Sequence, residues 1–261
     1  AMSMSGALSG LRASRAEIEA TSNNVANVST IGYKRSEVEF ESLLSGTKVS
    51  GVRSSFAQGS ITETGKPLDV AITGSGFFSI RSKIDAELEY YTRAGAFELD
   101  NENYLVNSGG QFVMGYASVN GAMPAALGDL TGLQLLDSKA SPNISIDAVQ
   151  ISSVGKVTAL YSNGTEKLVG QIALTSFKET SRLQSVGAAQ YVKTDRSGPP
   201  VTGLSGTNST GSMLAGSIEG SNVDISEELI DLITAQRNYQ AAAKVLETSS
   251  EIAEVVRHIK V

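Results

Sequence analysis

The chain has 261 residues, of which 41% are hydrophobic, so it can bury the core of one large or two modest domains. Its formal net charge is −6, and its longest basic run is the dipeptide Lys34-Arg35, which argues against nucleic-acid binding because that needs clustered Lys and Arg. There is no Cys and a single His, which excludes thiol nucleophiles and thiolate metal sites but leaves the compartment open. No apolar run approaches the ~20 residues of a membrane span, and we expect no membrane insertion.

Residues 4–28 have the spacing of an amphipathic helix whose one seam faces a partner. The seam positions alternate by four and three residues, and they are Met4, Leu8, Leu11, Arg15, Ile18, Ser22 and Val25. The preceding N-terminal residues lack the basic and apolar segments of a secretory signal peptide. Thr30 and Gly32 are predicted to end the helical pattern, since Gly readily adopts a positive φ after a helix.

Residues 224–261 predict a second, longer helix. Asp224 is the candidate N-cap, and Glu227 three residues later completes a capping-box pattern. The seam positions again keep heptad spacing at Leu229, Leu232, Gln236, Tyr239, Ala243 and Leu246, and Ile252, Val256 and Ile259 resume it after a slip. Leaving such seams in water costs about 25 cal/mol per Å² of apolar surface. We therefore expect the two helices to pair as a coiled coil, with neighbouring copies covering the rest.

The middle of the chain predicts an antiparallel β domain, because short strand-like runs alternate with Gly, Asn and Ser turns. The runs are 68–72, 77–80, 90–93, 112–116, 144–146, 157–161 and 168–174. The fold class is thus α+β. The predicted division is a terminal helical assembly domain (1–32 plus 221–261), an extended connector (33–66 plus 195–220) and a central β domain (67–194).

Catalysis has little support in the sequence. The single histidine, His258, lies in a helix tail, where the helix dipole favours a surface cation. Glu37, Glu39 and Glu41 occupy alternate positions, which would place their carboxylates on one face of an extended segment, and a glycosidase needs two carboxylates beside a cleft. No aromatic residues that could stack against a sugar accompany them, so a solvated face is the simpler interpretation. A hydrolytic enzyme with helical oligomerisation tails is accordingly disfavoured. We predict no catalytic residue, no metal site and no cofactor.

Three asparagines near the end of the first helix are unusual, because Asn disfavours helix interiors. Asn23, Asn24 and Asn27 indicate either an ordinary fraying helix end or side chains that make specific hydrogen bonds.

Residues 23–35 (NNVANVSTIGYKR) resemble the N-terminal signature of the bacterial flagellar rod and hook axial proteins. Residues 219–230 and 235–240 (AQRNYQ) are similar to the family's C-terminal helix motif. Residues 65–78 and 91–97 resemble the start of its β domain. Within the family, 169–177 and 236–240 look most like the hook protein, although a typical hook protein is larger; the alternative is a rod subunit.

The resemblance implies a structural subunit that is exported without a cleaved signal peptide and self-assembles into a helical tube outside the cell. As a hook subunit it would form the flexible joint that passes motor torque to the filament. Its implied partners are copies of itself, the rod, hook cap and hook–filament junction proteins, and the flagellar export apparatus. The residues expected to serve assembly are Leu8, Leu11, Ile18, Asn23, Asn24, Asn27, Gly32, Tyr33, Asn222, Leu229, Leu232, Gln236, Arg237 and Tyr239.

Overall fold

The structure is a computed structural model that describes residues 2–43, 46–85, 87–124, 128–137, 143–207 and 210–259. The chain forms two compact units. We call the first the helical unit; it comprises Ala1–Val28, Lys34–Ser55 and Val223–Val261. We call the second the β unit; it comprises Ser29–Tyr33 and Phe56–Asn222.

Two long helices dominate the helical unit, α1 (Met2–Ala26) and α2 (Ile225–Ile259), which confirms both predicted helices. They run antiparallel, since the end of α1 meets the start of α2 at Asn24 and Glu228 while Gly10 faces Ala242. The predicted N-cap is also confirmed: the Asp224 carboxylate accepts hydrogen bonds from the backbone N–H of residues 226 and 227 at 2.8 and 3.3 Å. Positions 260–261 lie outside the described residues. Neither described helix is apolar enough over a sufficient length to cross a membrane.

A hairpin of β1 (Ser36–Leu43) and β2 (Gly46–Ser54) completes the helical unit. The strands are antiparallel, with Ser36 opposite Ser54 and an irregularity between Glu39 and Phe40. The hairpin is held to α1 where the backbone N–H of Thr47 donates to Ser9 Oγ at 3.2 Å. It lies within the stretch 33–66 that the sequence predicts as an extended connector, and the alternating acidic and apolar residues of β1 are typical of a strand with one packed face.

The β unit is built on a large sheet in which all described strand pairs are antiparallel. The strands of this unit are β3 (Ile61–Glu63), β4 (Val70–Thr73), β5 (Phe77–Arg81), β6 (Glu89–Thr92), β7 (Phe97–Leu99), β8 (Leu105–Asn107), β9 (Phe112–Ala117), β10 (Thr131–Gly132), β11 (Ile146–Ile151), β12 (Lys156–Tyr161), β13 (Glu166–Ile172), β14 (Leu174–Ser176), β15 (Gln184–Gly187), β16 (Gln190–Val192), β17 (Val201–Gly203), β18 (Ser212–Ala215) and β19 (Ser217–Glu219). The main path of the sheet runs β11-β12-β13-β9-β5-β6-β16-β15, while β18 pairs with β4 and β19 with β3 outside it. A short 3-10 helix, Thr180–Arg182, precedes β15.

These strands confirm the α+β class and most of the predicted runs, with shifted ends. The run 144–146 is wrong except at its last residue, because the chain before Ile146 is tied into a turn contact, where Ser145 N–H donates to Ser162 Oγ at 3.1 Å. Strands β17 and β18 fall within the stretch 195–220, which the sequence predicts as part of the extended connector. Strands of three or four residues are too short to display a periodic pattern.

Alternation along β5 separates two apolar clusters. Phe78 and Ile80 enter the main core, while Phe77 on the opposite face enters a second, largely aromatic cluster. In that cluster Phe77 makes edge-on contacts with Phe177 and with Tyr191. The β unit therefore has a core of its own.

Candidate functional site

The Asn-rich end of α1 builds a buried polar cluster with the start of α2. Asn24 is 1% exposed, and its amide nitrogen donates to the Ser36 carbonyl at 2.9 Å and to Glu228 Oε2 at 3.0 Å. Its amide oxygen accepts the Ser36 N–H at 2.8 Å. One side chain thus joins α1, the start of β1 and α2, which is the specific hydrogen bonding that the sequence offered as one of two interpretations.

Arg35 binds the first turns of α2 through ion pairs. Its guanidinium forms ion pairs with Glu228 at 2.6 Å, with Glu227 at 3.2 Å and with Asp231 at 3.0 Å. The Glu228 side chain is buried, and Lys34 beside Arg35 is 1% exposed. A carboxylate as buried as Glu228 is tolerated only when it is paired and hydrogen-bonded, and here Arg35 and Asn24 supply both contacts.

A cavity of about 240 Å³ adjoins this cluster in the helical unit. Carboxylates from α1, β1 and α2 line it: Glu17, Glu37, Glu228 and Asp231. Burial and then the charge of Asp231 raise the pKa of Glu17. Acidic side chains therefore gather where the two helices begin to pair.

The face of α1 buried within the helical unit is small and polar. Ser14, Thr21 and Asn24 are buried, and the Cβ of an alanine at Gly10 would lie 3.9 Å from Ala242 Cβ. Small residues allow helix backbones to approach closely and bury little apolar area. This face lies one residue before the predicted apolar seam in each repeat.

The predicted seam of α1 is consequently only partly covered. Leu8 is 41% exposed, whereas Leu11, Ile18 and Val25 are half-buried; Arg15 and Ser22 point to solvent. The Met4 side chain lies outside the described part of the chain. The seam residues lie beside the buried face of α1, so part of their apolar surface is available for contact with another molecule.

On α2 the buried positions Glu228 and Ala235 lie one heptad apart. The predicted seam residues Leu229 and Tyr239 are 45% and 36% exposed, and Leu232 is half-buried. Other large apolar side chains of α2 are also exposed, namely Ile225, Ile230, Ile233, Val245, Ile252 and Val255. The side chains of Val256 and Ile259 lie outside the described residues. A helix with this much apolar surface in water is typical of a subunit that packs against a partner.

Gly32 serves a different purpose, within the β unit. Its φ is +68°, its N–H donates to the Glu219 carbonyl at 2.8 Å, and a Cβ there would lie 2.3 Å from the Ala94 nitrogen. Both the backbone conformation and the close approach require glycine. The helix-ending glycine predicted from the sequence is therefore also the point where residues 29–33 dock onto the β unit.

A buried ion pair lies beside this contact. Arg93 and Glu219 are 3% and 0% exposed and 3.1 Å apart. Arg93 also donates to the Gly74 carbonyl at 2.6 Å, and Glu219 accepts the Gly59 N–H at 2.9 Å. Burial lowers the pKa of Arg93 although Glu219 opposes the shift. The pair ties together segments that are far apart in sequence.

The remaining predicted residues are spread over both units. In the helical unit, Asn27 caps locally by donating to the Asn23 carbonyl at 2.8 Å, and the Asn23 side chain is exposed. Exposed positions on α2 also include Gln236 and Arg237. In the β unit, Tyr33 is half-buried and Asn222 donates to the Ala57 carbonyl at 3.2 Å.

Sequence reasoning missed the residues that organise these clusters. Arg35 and Glu228 were read only as parts of motifs, and so were Arg93 and Glu219. A charged residue within a motif is the available signal, but no local pattern reveals which distant charge it contacts. Among the described residues, no group of three or more His, Cys, Asp or Glu side chains is arranged to hold a metal ion.

Three family models match the chain. Residues 4–34 match the "Flagella basal body rod protein" model and residues 71–159 the "Flagellar hook protein FlgE/F/G D1 domain". Residues 214–256 match "Flagellar basal body rod FlgEFG protein C-terminal".

Whole-chain comparison finds similar proteins of two kinds. The flagellar basal-body rod protein FlgG of Agrobacterium fabrum is 33% identical over 280 residues, covering 96% of each chain. The rod protein FlgG of Bacillus subtilis is 30% identical over 277 residues, covering 97% of each. The flagellar hook protein FlgE of Salmonella typhimurium is 24% identical over 406 aligned positions, covering 99% of this chain and 100% of the hook protein.

Proposed function

Since this chain belongs to the family of bacterial flagellar rod and hook axial proteins, we propose that it is a subunit of the flagellar basal-body rod. It polymerises through its helical unit into a helical tube. The chain is a structural protein and not an enzyme, in keeping with relatives that are rod and hook proteins. Its partners are further copies of itself, the neighbouring axial proteins and the flagellar export apparatus.

The exposed apolar surface of the two long helices is the observation that carries an assembly role. Leu8 on α1 and Leu229 on α2 are 41% and 45% exposed, and Ile230 is 64% exposed. Neighbouring copies that cover these side chains remove apolar surface from water, which favours association. A helical polymer needs a heterologous contact that does not close into a ring, so the surface of one copy meets a different surface of the next.

We propose that α1 and α2 pair as a coiled coil within this assembly. The inward positions Gly10, Ser14, Glu17, Thr21 and Asn24 alternate by four and three residues, which is the heptad spacing. Polar residues at such positions lower stability but can specify register, and Asn24 is suited to that task by its three hydrogen bonds.

The fourteen residues predicted from the sequence then divide into three roles. Leu8, Leu11, Ile18, Leu229, Leu232, Gln236, Arg237 and Tyr239 supply the surface that other copies contact. Asn23, Asn24 and Asn27 shape the end of α1. Gly32, Tyr33 and Asn222 belong to the segments that connect the terminal helices to the β unit, which would form the wall of the tube.

A rod position is favoured over a hook position by length. Alignment with rod proteins takes 277 to 280 positions for this 261-residue chain, whereas alignment with the hook protein takes 406. The hook protein thus carries material that this chain lacks. The hook remains the second candidate, because 169–177 and 236–240 look most like that protein.

Assembly is tested by placing a charge on the exposed apolar faces. We expect Leu8→Asp and Leu229→Asp each to leave the β unit folded and to abolish polymerisation, measured by sedimentation and electron microscopy. Asn163→Asp is the control, since it adds a charge to an exposed turn of the β unit and keeps the side-chain oxygen that accepts the Thr165 N–H. Polymers of normal yield from both Leu variants would refute the role given to these faces.

The position in the flagellum is tested separately. Gold-labelled antibodies against the β unit, applied to purified hook–basal bodies opened with detergent, should mark the rod. Label along the hook would replace the rod assignment with the second candidate.

A further inference from the structure

We propose that the carboxylates around the cavity at the start of α2 make assembly sensitive to acid: a proton taken up by Glu17 strengthens the pairing of α1 with α2, so that the subunit polymerises better at mildly acidic than at neutral pH. The inference rests on the proposed function, because it concerns polymerisation.

The cavity collects negative charge from every element that surrounds it. Its acidic lining residues are Glu17 on α1, Glu37 on β1, and Glu228 and Asp231 on α2. Carboxylates gathered around a space of about 240 Å³ repel one another, and the repulsion is stronger where a side chain is partly buried, as that of Glu17 is.

Arg35 is the basic residue among those that line the cavity. Arg35 pairs with the cavity-lining residues Glu228 and Asp231 and also with Glu227. Its guanidinium is therefore engaged by three carboxylates of α2 and also interacts with the charge of Glu37, so the cavity is lined by more carboxylates than cations. Lys34, the residue before Arg35, is buried.

The surroundings of Glu17 favour proton uptake by its carboxyl group. Burial, followed by the charge of Asp231, raises its pKa above the ordinary value of 4.5. The folded helical unit thus binds this proton more firmly than the unfolded chain does, so its stability rises as the pH falls toward the raised pKa. The gain is complete below pH 4.5, the unfolded value.

The test compares the full-length chain with Glu17→Gln, which keeps the shape of the side chain and removes its charge. The critical concentration for polymerisation is measured by sedimentation from about pH 7.5 down to about pH 4, a range that includes the ordinary carboxyl value of 4.5. We expect it to fall severalfold for the unaltered chain as protonation relieves the repulsion. The variant should already have a low critical concentration at neutral pH and respond little to acid.

The matched control is Glu19→Gln, two residues along α1, where the carboxylate is exposed and pairs with Arg15. It should keep the pH response of the unaltered chain. Added salt should lower the critical concentration of the unaltered chain at neutral pH, because salt screens the same repulsion that protonation of Glu17 removes. The critical concentration of Glu17→Gln should not change with salt.

The outcomes separate the two proposals. Absence of polymer at every pH would count against the proposed function. Polymer whose pH response is the same with and without the Glu17 carboxylate, or no pH response in the unaltered chain, would overturn the inference alone.

Discussion

At the scale of single residues, two neighbouring asparagines have different surroundings. Asn24 is buried and bonds to Ser36 and Glu228, whereas the side chain of Asn23 faces solvent. Loss of the Asn24 amide would leave the buried carboxylate of Glu228 with one partner fewer. A buried polar group that loses its partner costs more than the hydrogen bond itself contributes.

We therefore expect Asn24→Ala to destabilise the helical unit by about 1–3 kcal/mol. Asn23→Ala should change it by less than about 0.5 kcal/mol, as surface substitutions usually do. Thermal unfolding followed by helical circular dichroism at about 222 nm measures both. Equal effects of the two substitutions would show that the hydrogen-bond cluster contributes no stability.

Gly32 gives a second contrast in the β unit. Gly32 and Gly65 have φ of +68° and +69°, but a Cβ at Gly32 would lie 2.3 Å from a backbone nitrogen, while a Cβ at Gly65 meets nothing within 4 Å. Gly65→Ala should thus cost about 1–2 kcal/mol, the penalty of the left-handed conformation. Gly32→Ala should cost more, since the backbone must also move. Denaturant unfolding monitored by tyrosine fluorescence compares them, and similar losses would argue against the close approach.

At the scale of elements, α1 is a helix with a small, polar buried face. Gly10 lies on it, and a Cβ there would be 3.9 Å from Ala242 Cβ, an ordinary contact. Glycine within a helix is less favourable than alanine by about 0.5–1 kcal/mol.

We expect Gly10→Ala to raise the stability of the helical unit by about that amount, and Gly10→Leu to lower it because the longer side chain forces the helices apart. Helical circular dichroism during heating measures both changes. If Gly10→Leu is as stable as Gly10→Ala, the two helices are not in close contact at this position.

Both helices were predictable because their heptad patterns extend over many repeats, so that single exceptions do not hide the period. The face of α1 that turns inward was not predictable, because the heptad pattern marks apolar residues whereas the buried face carries Ser14 and Thr21. The ion pair of Arg93 with Glu219 could not be predicted for another reason. The two residues are 126 positions apart, and only the folded β unit brings them together.

At the scale of the whole molecule, the β unit has its own core and should fold without the helical unit. A fragment of residues 56–222 is expected to unfold cooperatively and not to polymerise, because it has neither long helix. Near-ultraviolet circular dichroism and sedimentation measure these properties. A longer fragment, 29–222, restores the hydrogen bond from Gly32 to Glu219 and should unfold at a higher temperature. A fragment 56–222 without fixed tertiary structure would show that the core depends on the rest of the chain.

The small, polar contact face between α1 and α2 has a thermodynamic consequence. Pairing within one copy removes little apolar surface from water and so changes the heat capacity little, whereas covering Leu8, Leu229 and Ile230 changes it strongly. If neighbouring copies cover these side chains, as proposed, we expect the heat capacity to decrease mainly on association between copies. Burial of that kind is driven by entropy near 25 °C and weakens on cooling, so we expect warming to lengthen the polymers and cooling to shorten them.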